Sequence, residues 1–141
     1  MSLDRYLEAQ EHTYQIALAE LRSGRKQSHW MWYIFPQLYG LGFSPTSRYY
    51  AIQSFEEVRD YLNHPVLSQR LNEITDVLLQ LNTTSAIDVF GSVDAMKLNS
   101  SLTLFALLSE PGSRFHKALE KYFDGVYCEY TRREFENVGS R

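Results

Sequence analysis

The chain has one cysteine, Cys128, in 141 residues. No intramolecular disulfide is possible, and no Cys/His cluster has zinc spacing. Both absences suit a reducing, cytoplasmic setting. Long apolar runs are also missing: none approaches the roughly 20 residues needed to span a bilayer. Asp4, Glu8 and Glu11 interrupt the N-terminal stretch, so no secretory leader is expected. Excess positive charge is absent, since the formal net charge is −3. Bulk, sequence-independent nucleic-acid binding, which needs a basic face, is not expected. Period-two alternation, Gly/Ser-rich linkers and internal repeats are lacking too, which argues against a sheet protein and against a solenoid.

What remains is a globular composition, 44% hydrophobic and 22% charged. A chain of this length is most simply one domain and buries roughly two thirds of its unfolded surface. Aromatic residues reach 14%, mostly ten Tyr and eight Phe.

Apolar spacing reads helical nearly throughout. Leu3, Leu7, Tyr14, Leu18 and Leu21 form one stripe, stopped by Gly24. Ser54 with Glu57 has capping-box spacing and opens a helix to about Leu62. Pro65 sits in the first turn of the next helix, where its missing N–H costs nothing. Leu67, Leu71, Ile74, Leu78 and Leu81 follow as its stripe. Ser85 or Thr84 caps a short helix, Ala86 to Phe90, that stops at Gly91. Asp94 is placed as the cap of the next, which carries Leu98, Leu102 and Phe105. Ser113 caps another that ends near Gly125, and a last helix covers Tyr130 to Val138. Tyr49 to Ile52 could form a strand, but a lone strand has no partner. The expectation is an all-α fold of six to eight helices in residues 1–141, with a central aromatic-rich helix or segment.

That segment is the most informative part of the chain. Between Lys26 and Gln37 it carries Trp30, Trp32, Tyr33 and Phe35 together with His29 and Ser28. Core helices do not need the polar members, and loops rarely hold so many rings. A pocket wall needs both. The competing reading is plain: the rings pack, His29 is a satisfied histidine, Gln37 caps backbone and Lys26 is solvated. Gly40-Leu41-Gly42 and Ser44 to Ser47 then combine a glycine-rich turn with hydroxyls and a helix start capped by Ser44. That is either an ordinary turn or a place for an anion. Asp94, Lys97, Ser100 and Ser101 are helix neighbours. They form either a surface ion pair with small packing residues, or a lysine held between carboxylate and hydroxyls for an anionic ligand. No strained nucleophile turn or dinucleotide fingerprint is present, and no cofactor is implied.

The string Lys26-x-x-His29-Trp30-Met31-Trp32-Tyr33-Ile34-Phe35-Pro36-Gln37-x-x-Gly40-Leu41-Gly42 resembles the signature of a bacterial family, Domain of Unknown Function 1810. Ser44-x-x-Ser47-x-x-Tyr50, His64-Pro65, Phe90-Gly91-x-x-Asp94-x-x-Lys97 and Ser101-Leu102-Thr103-Leu104-Phe105 continue the resemblance to about Gly125. Some members are labelled calpastatin, a disordered inhibitor class that this globular composition does not match. The resemblance implies a small helical protein and supplies no mechanism. It implies an Asp in a Gly-x-x-Asp pattern after Gly125, near where this chain carries Cys128.

Two functional expectations follow. In the first, a pocket takes a small anionic ligand, a nucleotide or phosphorylated metabolite. His29 and Lys97 are the candidate catalytic groups; Lys26, Trp30, Trp32, Gln37, Ser44, Ser47, Tyr50, Asp94 and Ser101 bind. In the second, the chain is a helical interaction module or homodimer that joins through aromatic surface. Neither involves a membrane.

Overall fold

Residues 2–139 are described by a computed structural model. Among them are nine helices: α1 Asp4–Arg22, α2 Met31–Ile34, α3 Pro45–Tyr50, α4 Phe55–Asn63, α5 Pro65–Gln80, α6 Ala86–Phe90, α7 Ser92–Leu107, α8 Arg114–Phe123 and α9 Glu129–Gly139. The count exceeds six to eight because short segments such as the aromatic run close single turns of their own.

The caps read from sequence do the local work. The Ser54, Ser85 and Ser113 hydroxyls accept the N–H groups of Glu57, Asp88 and His116, satisfying donors that a helix start leaves free. His64 caps α5: its Nδ1 accepts from Val66 and Leu67, both at 3.2 Å. Asp94 is not a cap. Gly91, at φ +80°, occupies that place, because α7 begins three residues earlier than the Asp94 spacing suggested. The carboxylate is thereby freed for side-chain partners. The Ser54–Glu57 box is only half made. The Glu57 carboxylate takes Gln53 N–H (3.0 Å) and pairs with Arg5 (2.9 Å) instead of returning to its own cap.

Helix α7 packs against α4, α6, α8 and α9. Its second half, Ser100 to Ala106, is buried on every side, as a helix apolar all round must be. Helix α1 lies on α5 and α2, and α2 leads to α3. The aromatic run sits inside: Trp30, Met31, Ile34 and Phe35 are buried, with Trp30, Phe35 and Phe90 in mutual ring contact. The segment that lacked a strand partner finds one residue's worth. Leu38 and Ile52 form an isolated parallel bridge, with Tyr39 N–H on Ile52 O and Ile52 N–H on Gln37 O, each 2.9 Å. This bridge brings Gln37 beside α3. No helix of the described residues is long and apolar enough to cross a membrane.

Candidate functional site

Gly24, at φ +87°, lets the chain leave α1 and fold back on it. The fold-back is held by Glu20. Its carboxylate accepts from Gln27 N (2.8 Å), Ser28 N (3.0 Å), Ser28 Oγ (2.5 Å) and Trp30 Nε1 (2.9 Å). Burial pushes this carboxyl up, but the four donors more than reverse that and hold it at about 2. Trp30 is thus pinned inward at both ring and N–H, and Lys26 is carried to the base of α7. Lys26 N–H also donates to Val89 O at 2.8 Å, fastening the loop to α6.

There Lys26 Nζ meets Asp94 Oδ2 at 2.8 Å, donates to Ser28 O, and lies 5.0 Å from the Trp30 ring centre. Asp94 also faces Lys97 Nζ at 3.8 Å, one helical turn on. Lys97 Nζ stands 5.2 Å over the ring of Trp32. Lys26 is 8% exposed and Lys97 25%, so Lys97 is the ammonium that water and solutes reach. One carboxylate serves two ammonium groups, which leaves this trio with a positive charge to spare. Beside Lys97 lies a hollow with walls of Met31, Trp32, Phe35 and Ala51, and with Gln37 and Ser47 as its other polar groups. It is tight: about 10 Å³ for the centre of a solute atom, enough for one water.

The fold therefore gathers Lys26, Trp32, Gln37, Ser47, Asp94 and Lys97 from α2, α3, α7 and the loops between. Ser44 lies at the rim, exposed, capping α3 through Ser47 N (3.1 Å) and donating to Ser47 Oγ at 3.0 Å. Four of the expected site residues are elsewhere. Trp30 is wholly buried with its N–H committed to Glu20, so it forms a floor and offers no face to a ligand. Ser101 is wholly buried and its hydroxyl has no partner. Tyr50 turns the other way, against the rings of Tyr6, Tyr33 and Tyr49. His29 is exposed and contributes nothing to the walls of the hollow. Trp30 takes the inward position and its neighbour is left outside.

Sequence reasoning missed Glu20, the residue that sets the position of both Lys26 and Trp30. One acid among several on α1 carries no spacing signal. Its role arises only when the loop after Gly24 returns with free N–H groups. It also missed Tyr130, whose hydroxyl donates to Tyr39 O at 3.0 Å across 91 positions of chain.

A larger hollow, about 610 Å³, opens on the other side of α7 between α6 and the α8–α9 turn. Its lining is mostly apolar, with Leu41, Ile87, Met96 and Val126 at the surface and Cys128 within. Cys128 Sγ accepts from Ser100 and Thr131 hydroxyls, each at 3.4 Å.

A family model described as a protein of unknown function, DUF1810, matches residues 1–135. The crystal structure of the conserved hypothetical protein Rv1873 from Mycobacterium tuberculosis is 42% identical and superposes with a TM-score of 0.91, over 94% of each chain. No curated protein matches.

Proposed function

The chain belongs to the DUF1810 family, and we propose that it binds a small anionic ligand, a phosphorylated metabolite or nucleotide, through the phosphate group at Lys97. The observation that carries this is the shared carboxylate. Asp94 lies 2.8 Å from Lys26 and 3.8 Å from Lys97. The nearer, buried lysine largely satisfies it, and the outer one keeps unspent charge beside two neutral hydrogen-bonding groups, Gln37 and Ser47. An ammonium set against an indole face in partly excluded solvent meets an oxyanion more strongly than a lysine in open water. In this arrangement Lys97 contacts the anion, Gln37 and Ser47 orient it, and Trp32 forms the wall. Lys26 and Asp94 are positioning residues, and Trp30 is the packed floor beneath them. No catalytic step is assigned. The exposed, isolated setting of His29 does not favour the general acid–base role expected of it.

The test is titration with inorganic phosphate and adenosine monophosphate, followed by Trp fluorescence and by thermal shift. Wild type is expected to respond to both, and Lys97→Ala to bind at least about tenfold more weakly, as loss of one charge-assisted contact implies. Lys97→Ala with wild-type stability and wild-type responses would overturn the reading.

One observation favours the second expectation, an interaction surface. Ile87, Val93, Met96 and Val126 are 62%, 66%, 73% and 64% exposed on and around the large hollow. These side chains are aliphatic; exposed aromatic rings stand elsewhere, at Tyr39, Phe43 and Tyr49. Sedimentation over a range of concentrations, with Met96→Lys as control, separates this reading from the first.

A further inference from the structure

A third hollow lies between the start of α4 and α9, and it shares no wall residue with the one beside Lys97. Its volume is about 490 Å³, within the range of small-molecule pockets. Leu38 and three rings, Tyr39, Phe55 and Tyr130, stand in its wall. The charged groups there are two carboxylates, Glu56 on α4 and Glu134 on α9. No lysine, arginine or histidine is among the described lining residues. We propose that this hollow binds a small organic cation, an alkylammonium, with its charge toward Glu56 and Glu134 and its carbon skeleton on the rings.

The two carboxylates are unspent. Glu57, next to Glu56, is taken by Arg5 and by Gln53 N–H. Arg132 and Arg133, either side of the Glu134 turn, pair with Glu129 and Glu136. Among the described residues no lysine or arginine pairs with Glu56 or Glu134. Glu134 accepts a long bond from Asn137 Nδ2, at 3.4 Å. It stands one helical turn from Tyr130, and burial and then this carboxylate raise the pKa of that tyrosine.

The rings are held in place before any ligand arrives. The Tyr130 hydroxyl donates to Tyr39 O at 3.0 Å and rests on Gly40, where a Cβ would go. Phe55 is backed edge to face by Phe135, with ring centres 5.2 Å apart. Leu38 is tied to Ile52 by the parallel bridge. A wall built beforehand spares the ligand the cost of ordering it. Rings and acids together select the ligand class. An aromatic face carries partial negative charge and attracts a cation. An anion is repelled by both acids, and a neutral molecule gains nothing from them. An alkylammonium meets both kinds of wall.

The probes are putrescine, tetramethylammonium and, as an uncharged match to the diamine, butanediol. Each is titrated into the full chain and followed by the amide NMR shifts of residues 38–39, 53–56 and 130–138. Both amines are expected to move these signals to saturation, less tightly as salt is added, and butanediol to leave them still. Glu56→Gln combined with Glu134→Gln is expected to weaken putrescine about tenfold, since two partly exposed ion pairs are lost. Tyr39→Leu keeps the backbone carbonyl that holds Tyr130. It is expected to weaken tetramethylammonium about threefold, through the loss of one ring. Thermal unfolding of each variant confirms that it folds. Amines that move no signal around this hollow, or that bind the glutamate variant as they bind wild type, would overturn the proposal. An equal response to butanediol would overturn the choice of a cation. Tetramethylammonium bound unchanged by Tyr39→Leu, with putrescine lost in the glutamate variant, would leave two surface acids in place of a built site and overturn it as well.

Discussion

The hydroxyls of Ser47 and Ser101 look alike in the motif pattern and have opposite fates. Ser47 faces the hollow beside Lys97. Ser101, on α7, is buried with no partner for its oxygen. An unpartnered buried hydroxyl has lost its water and gained nothing in return. Ser101→Ala is therefore expected to leave stability unchanged or raise it by up to about 1 kcal/mol, with the phosphate response intact. Chemical denaturation beside a phosphate titration checks both, and a clear loss of phosphate binding would restore Ser101 to the site. Asp94 shows the reverse case. Its spacing to Lys97 was readable, but its stronger partner, Lys26, lies 68 positions away in sequence and was seen only as a member of another motif.

Helix boundaries were the most legible feature, because they follow from local chemistry. A hydroxyl accepts the first free N–H groups, proline sits where no N–H is needed, and glycine ends the run. The misplaced start of α7 has the same origin. Asp94 is a good cap by type, yet Gly91 with its positive φ turns the chain earlier and leaves the acid in the first turn, where it still favours the helix dipole. Helix C-termini were less legible, since their partners come from other elements. The end of α5 is an example. Lys121 of α8 donates to the carbonyls of Leu78 (3.1 Å), Leu79 (3.0 Å) and Leu81, and burial lowers its pKa. Lys121→Met keeps the alkyl stem and removes the donors. A stability loss of about 1–2 kcal/mol is expected, read as a fall in Tm of about 3–6 °C by calorimetry. A change under 1 °C would show that water caps α5 equally well.

Across the whole molecule, polar side chains fasten the helices where the apolar core does not reach. Arg5 is almost wholly buried. It donates to Tyr49 O, Ala51 O and the Glu57 carboxylate, and so joins α1 to the start of α4. Glu20 does the same between α1 and the loop that holds Lys26 and Trp30. Its carboxyl is held at about 2 against an ordinary 4.5. A depressed acid contributes stability that is complete above the ordinary value and is lost as pH falls toward the folded one. With the partial exposure of Glu20 taken into account, Glu20→Gln is expected to cost about 2 kcal/mol at neutral pH. That difference is expected to shrink between pH 4.5 and 2, so the two proteins converge in acid. Thermal unfolding at a series of pH values reads it directly. A gap that stays constant down to pH 2 would mean that the carboxylate charge plays no part.

Periodicity, caps and breakers were enough for an all-helical chain with most of its boundaries, because each depends on residues within a turn of one another. The same local view singled out Lys26, Gln37, Ser47, Asp94 and Lys97 as unusual company for so many rings. It could not tell which rings and hydroxyls face inward. That was decided when Glu20 drew Trp30 into the interior and the Leu38–Ile52 bridge laid Gln37 beside α3. Both depend on distances between segments far apart in the chain, which only packing determines.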